Sequence, residues 1–323
     1  MRISKCLLFI IICFPLLCLG CIGGGDAIAA ESAENTKEVG SGEIDGYKLV
    51  WQDLFNGDKL SPDNWYIEVN GQGGGNAELQ FYKAENVSID IEPNTGKRCL
   101  VLTAKKENYL DKTATSGRVN SIDRKTFKYG KIEASIKVPK TGDGLWPAFW
   151  MMGADYPSVG WPKCGEVDIL EIGSDEGIRK MVQDYFINGA CHWGQSWNGG
   201  AYPNYFKGFE NSYVLHDDFH LYTLTWDRDS IRMYLDKDKY PDAKPYFEMG
   251  INSFDTESSP GHYFNKDFFI LFNLAVGGNY TQIWDINKVT ALNEENGYEA
   301  KMYVDYVRVY QKEEFEDNLL TNK

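Results

Sequence analysis

The amino-acid sequence predicts an all-β sandwich, and three observations predict it. From Tyr47 onward, short apolar or alternating runs recur between turn signals: YKLVWQDLF, NVSIDI, CLVLTA, KYGKIEASIKV, EVDILEI, FHLYTLTW, SIRMYL, FFILFNLAV and KMYVDYVRVY. Several of them, GKIEASIKVP and KMYVDYVRVYQ most clearly, alternate apolar with polar residues, the period of a strand with one buried face. No segment carries a sustained helical stripe bounded by caps. Thirty-two glycines and a 14% aromatic content suit sheets joined by tight turns. A single all-β domain can run to roughly 250 residues, so 323 residues need not contain a second one.

In chain order, residues 1–21 read as an export signal. MRISK is basic, and CLLFIIICFPLLCLG is an apolar run too short for a comfortable membrane span. It ends at LCLGC, which resembles a bacterial lipoprotein box with Cys21 as the lipidated residue; Cys18 stands where an aliphatic residue is usual. The expectation is an exported protein held on a membrane through Cys21, at the outer membrane, the cell surface or in the periplasm. Residues 22–45 are small, polar and acidic without apolar periodicity, and read as a flexible tether. Residues 46–312 form the expected folded domain, and 313–323 a charged tail. Four of the seven cysteines lie in the signal, leaving Cys99, Cys164 and Cys191. Three thiols without CxxC spacing allow at most one disulfide and no thiolate metal site.

The formal net charge is −14; the signal holds two of the cations and no acid, so the remainder carries −16. A surface this acidic disfavours nucleic acid and anionic headgroups and is compatible with neutral, unsulfated sugars. It serves equally as a solubilising shell, and a monomer is expected.

The stretch CGEVDILEIG concentrates three carboxylates, Glu166, Asp168 and Glu171, among apolar residues. In a strand, Glu166 and Asp168 share a face, whereas strict alternation turns Glu171 to the other. One extra residue before Glu171, a β-bulge, restores all three to one face. Val167 and one or both of Ile169 and Leu170 then enter the core. Three carboxylates on one face repel and raise one another's pKa, a cost without return in a structural strand. A retaining glycosidase uses it: one ionised carboxylate as nucleophile and one protonated acid, about 5–5.5 Å apart. Four strand steps span roughly 13 Å, so the side chains must converge over a curved sheet. Calcium binding and a solvent-facing acidic edge are the other readings of this pattern.

EVDILE fits the ExDxxE signature of glycoside hydrolase family 16 in its bulged, laminarinase-like form, and the resemblance extends over residues 46–312. LVWQDLFNG with NW, GGNAELQFY, TSGRVNS with FKYGKIEASIKVP, GLWPAFWMMG, DDFHLYTLTWDRDSIRMYLD, FFILFNLAVGGNY and MYVDYVRVYQ follow in the family's order. The resemblance implies a concanavalin-like β-jelly-roll sandwich of two curved antiparallel sheets with a glycan cleft on the concave face. It implies endo-acting, retaining hydrolysis of β-linkages with no cofactor for catalysis. Glu166 would be the nucleophile, Glu171 the acid/base, and Asp168 their modulator.

Further positions follow from that resemblance. Asn76 and Arg118 match residues that contact the donor-side sugar, and both suit hydroxyls. Trp146 and Trp150, four apart on one strand face, offer flat indoles to sugar C–H faces, although a buried Trp is more often plain core. Trp161 and Trp284 lie in loop-like stretches that would flank the cleft, and His192 would neighbour the acid/base. Asp305, with the carbonyl of Gly96, matches a structural calcium position; an ordinary strand Asp reads almost as well.

The chain also departs from the pattern. Twenty-one positions separate Glu171 from His192, and Ile172 stands where Tyr or Phe is common. The aromatic-rich insert 172–209 is expected at the leaving-group side or rim of the cleft. The leading substrate is a β-1,3- or mixed-linkage β-1,3-1,4-glucan. The rival is the internal β-1,4-galactosyl bond of poly-N-acetyllactosamine on host mucin-type O-glycans. A non-catalytic surface lectin is the reading from another class, but a lectin would usually have lost Glu166 or Glu171.

Overall fold

The computed structural model of the protein describes residues 46–312. The signal, Cys21, the tether and the tail lie outside the described residues. Two sheets face each other across one core. Every run read as a strand contains one.

The larger sheet runs, in spatial order, Phe247–Gly250, Ser230–Leu235, His220–Trp226, Gly130–Lys137, Glu299–Gln311, Arg98–Lys105, Ala114–Ser116 and Gln80–Tyr82. Lys48–Asp53 joins it on Glu299–Gln311, and Val87–Ile91 on Arg98–Lys105. The pairing is antiparallel, as expected, apart from one short parallel pair between Gln80–Tyr82 and Ala114–Ser116. The other sheet carries the site. Its order is Asn204–Glu210, Phe186–His192, Glu166–Ile172, Leu145–Gly153, Phe268–Val276, Arg118–Asn120 and Tyr66–Ile67, with Thr126–Phe127 also on Phe268–Val276.

Alternation decides what fills the space between the sheets. Along Gly130–Lys137, Ile132, Ala134 and Ile136 enter the core from one side. Leu145, Phe149 and Met151 enter it from the other, and the Phe149 ring stacks on Phe272 at 4.9 Å. Phe268–Val276 is buried on both faces, as its continuous apolar run requires. Cys99, Cys164 and Cys191 are all buried and reduced, so hydrophobic packing rather than a disulfide framework holds the domain.

Two short helices, Tyr156–Val159 and Asp175–Lys180, interrupt the expected all-strand pattern. The second is six residues long, too short for an apolar stripe. Local signals form it: Ser174 Oγ accepts from Gly177 N, and Asp175–Arg179 and Glu176–Lys180 pair one turn apart.

The insert 172–209 is not all loop: its middle, Phe186–His192, is a buried strand paired directly with Glu166–Ile172. FINGACH hides this, because small residues stand where a strand normally shows bulk. Gly189 has to be small, since a Cβ there would meet Met233 Sδ at 2.7 Å and Phe247 Cβ at 3.0 Å. Asn204–Glu210 follows as the exposed edge of the same sheet.

Candidate active site

The predicted bulge is present. Asp168 pairs with Trp150 and Leu170 with Phe149, so Ile169 has no register partner on Leu145–Gly153. On the other side Asp168 pairs with Ala190 and Glu171 with Asn188, two residues passing one. Val167, Ile169 and Leu170 are all in the core. The extra residue leaves a carbonyl outside the ladder. Tyr246, itself buried, reaches up from the core, and its hydroxyl donates to the Ile169 carbonyl. Tyr246→Phe would strand that carbonyl, so a loss of about 1–3 kcal/mol is expected in urea unfolding; unchanged stability would mean that the bulge holds without it.

With the register shifted, three rows of residues cross the groove face of the sheet. One reads Arg118, Asn273, Ala148, Glu171, Asn188, Gly208. The middle row reads Asn120, Leu271, Trp150, Asp168, Ala190, Phe206, and the third Thr126, Phe269, Met152, Glu166, His192, Asn204. The three acids thus stand side by side at the centre of the sheet. Single ligand atoms of Glu166, Asp168 and His192 lie within 4.8 Å of one another.

Each acid has a distinct setting. Trp146 Nε1 donates to Glu171 Oε1 at 3.0 Å, and its ring is covered by Tyr280, stacked at 4.5 Å. Trp146 therefore holds the acid, and one of its two faces is already occupied. Glu166 keeps part of its surface open and accepts from the Trp161 indole. His192 Nε2 lies 3.3 Å from Asp168 Oδ2, too poorly aligned for a hydrogen bond, so that buried oxygen has no hydrogen-bond partner among the described residues. On its far side His192 meets the Tyr202 hydroxyl at 3.2 Å.

Burial and mutual repulsion push all three carboxyls up. Glu166 rises to about 8, through desolvation first and the Asp168 charge second, offset by His192, Arg118 and the Trp161 bond. Desolvation holds Asp168 well above its ordinary range, and desolvation with Asp168 does the same to Glu171. Glu166 is the most open of the three, and His192, Arg118 and the Trp161 indole favour its ionised form against the burial. The sign for stability follows. A carboxyl raised on folding is held most favourably below its unfolded pKa, near 4.3, and its contribution declines as pH climbs toward about 8. With Glu166 partly open, the expected loss between pH 5 and 8 is about 1–3 kcal/mol. Glu166→Gln should flatten that slope in thermal melts, and an unchanged slope would contradict the shift.

Of the other expected residues, Trp150 is on the groove face, with Nε1 donating to Asn273 Oδ1 at 2.7 Å. Arg118 is ion-paired to Glu68 at 2.9 Å and lies over the Trp150 ring at 4.9 Å, so it is cleft floor and ion pair at once. Asn76 sits on the rim, where its carbonyl takes Asn279 N at 2.7 Å; the same loop carries Tyr280 and the half-exposed Trp284. Trp161 meets Tyr202 edge-on at 4.8 Å above His192, forming the wall at the Glu166 end.

The calcium expectation needs correction. Asp305 is buried and its Oδ2 takes Lys97 Nζ at 2.8 Å, directly after the turn at Gly96. Calcium requires six to eight oxygens, and here an ammonium supplies the compensating charge. These residues do not fit the ion.

The sequence reading missed a polar chain beneath the groove. Glu78 Oε2 accepts from Tyr82 OH at 3.2 Å, Asn273 Nδ2 donates to Tyr82 OH at 3.3 Å, and Asn273 in turn holds Trp150. One signal was available: Asn273 is the lone polar residue in FFILFNLAV. Glu68, which binds both Arg118 and Asn120, sent none.

A jelly-roll sandwich with three adjoining carboxyls across one sheet, two of them buried, fits the carbohydrate-active class whose chemistry runs on carboxylate pairs. Residues 78–260 match the family model described as glycosyl hydrolases family 16. A Cryptopygus antarcticus glucan endo-1,3-beta-glucosidase is 35% identical over 238 residues, 72% of this chain and 81% of that protein. The clotting factor G alpha subunit of Tachypleus tridentatus is 33% identical over 82% of this chain, which spans 34% of that protein's length. Among solved structures, a Bacteroides ovatus mixed linkage glucan family 16 protein, in complex with its product, superposes with a TM-score of 0.70 at 38% identity, over 81% of this chain and 100% of that one. The chain belongs to glycoside hydrolase family 16.

Proposed function

We propose that the chain is an endo-acting, retaining glycoside hydrolase that cuts internal bonds of β-1,3- or mixed-linkage β-1,3-1,4-glucan. The observation that carries this is the bulge, which sets Glu166 and Glu171 on one face of the sheet, on either side of Asp168. Glu166 attacks the anomeric carbon as the glycosidic C–O bond breaks, and the Glu171 proton passes to the departing oxygen. Glu171, now ionised, takes a proton from water, whose oxygen displaces Glu166 and restores the original configuration. Burial first, and the neighbouring Asp168 second, raise the Glu171 carboxyl and favour its protonated form. The Trp146 bond fixes the direction from which the proton arrives. Arg118 and Asn76 hold the donor-side sugars over Trp150, in keeping with the family resemblance, and neither step needs a metal or an organic cofactor.

The glucan assignment is supported by the named activity of the Cryptopygus relative and by the mixed-linkage glucan of the Bacteroides structure. The basic start followed by an apolar run ending at Cys21 supports an exported form anchored by lipid on that cysteine. Incubation with laminarin, lichenan, barley β-glucan and mucin O-glycans, with product ends identified, tests the reading. Internal cuts in a glucan with β-configured new ends are expected. Cutting confined to the O-glycans would overturn the substrate, and binding without cutting would leave a lectin.

A further inference from the structure

We infer that the edge strand Asn204–Glu210 extends the groove and that Phe206 is a platform for an acceptor-side sugar. The inference rests on the hydrolase reading and adds the place where the leaving part of the glycan sits.

Alternation splits the strand cleanly. Tyr205 and Phe209 face the sandwich interior, where Tyr205 meets Phe247 at 5.3 Å and Phe209 stacks on Tyr246 at 6.4 Å. Phe206 points the opposite way, in register with Ala190, which is in register with Asp168. Ala190 therefore lies on the groove face, and its small side chain leaves the path from Asp168 to Phe206 low. Two strand spacings, about 10 Å, separate the two backbones along that row.

Phe206 is 63% exposed. A large apolar side chain on an open sheet edge invites unwanted pairing, so its retention points to a use. On the same face, Asn204 stands two residues before Phe206 with its Nδ2 on the Tyr202 carbonyl, Asn188 is buried with its Oδ1 taking the Tyr280 hydroxyl, and the Phe186 ring fills the space over Gly208. Gly208 is itself constrained, because a Cβ there would lie 2.3 Å from the Phe186 ring. Arg118 and its Trp150 contact occupy the other end of the rows, beyond Asp168 and Glu171. The donor side being there, Phe206 takes what Glu171 protonates and releases. Stacking of a pyranose C–H face on the phenyl ring is the contact expected.

The test is Phe206→Ala, an exposed change that leaves the core intact. Hydrolysis is compared on a glucan polymer and on an aryl β-glycoside whose nitrophenol fills the acceptor side. On the polymer, kcat/KM should fall roughly fivefold to tenfold, mostly through KM, while the aryl glycoside changes by less than about twofold. An equal fall on both, or no fall on the polymer, overturns the platform. If the parent protein cuts no glycan at all, the hydrolase reading fails separately. The platform is then judged by calorimetric titration with a laminari-oligosaccharide: affinity lost in Phe206→Ala supports it, and affinity unchanged overturns it.

Discussion

Glu166→Ser is expected to lower kcat on a β-glucan by roughly 10⁴-fold or more, with folding and oligosaccharide affinity retained. Glu166 is the only one of the three acids that keeps part of its surface open to the groove, and it gains most from neighbouring His192, Arg118 and the Trp161 indole. Those contacts favour its ionised form, the form that attacks carbon. The shorter side chain also opens space at the anomeric centre, so azide should restore turnover on an activated aryl glycoside. The product should be the α-glycosyl azide, because a single displacement inverts a β-bond. Substantial residual turnover without azide, or a β-azide, would remove Glu166 from the nucleophile's role.

The second large effect concerns Glu171→Gln, and it should depend on the leaving group. A polymer's departing oxygen needs the proton, so kcat should fall by about 10²–10⁴-fold there. A dinitrophenyl glycoside needs none, and its first step should survive, seen as a rapid burst before slow release. Azide should now speed release and yield the β-glycosyl azide, since Glu166 remains to make the first inversion. Loss of equal size on every leaving group would show that Glu171 is not the acid. The two azide products separate the roles in a way that activity loss alone does not.

Much of this was legible in the chain. Alternation in GKIEASIKVP and KMYVDYVRVYQ announced strands, and both are central strands of the larger sheet. The bulge was readable too, because three acids on one face require it and strict period-two pairing forbids it. His192 was expected beside the acid/base Glu171, but it stands in register with Glu166, with Nε2 3.3 Å from Asp168 Oδ2. FINGACH was not legible as a strand, since its glycine and alanine answer to Phe247, Met233 and the groove rather than to local propensity. Trp146 was read as a sugar platform, yet Tyr280, 134 residues further along, covers one face and leaves its N–H to the acid. Asp305 was read as a calcium ligand, and Lys97, 208 residues away, meets it instead.

The sequence by itself determined the sandwich, the shared face of the acids and their chemical kind, because period and residue type are local properties. The tertiary structure alone decided how deeply each acid is buried, what props the bulge from below and which side chains reach the groove face. Those depend on burial and on partners such as Trp146, Tyr246 and Phe206, which cross-strand register delivers from distant parts of the chain. Desolvation and hydrogen bonding act through space, and no spacing along the chain encodes them.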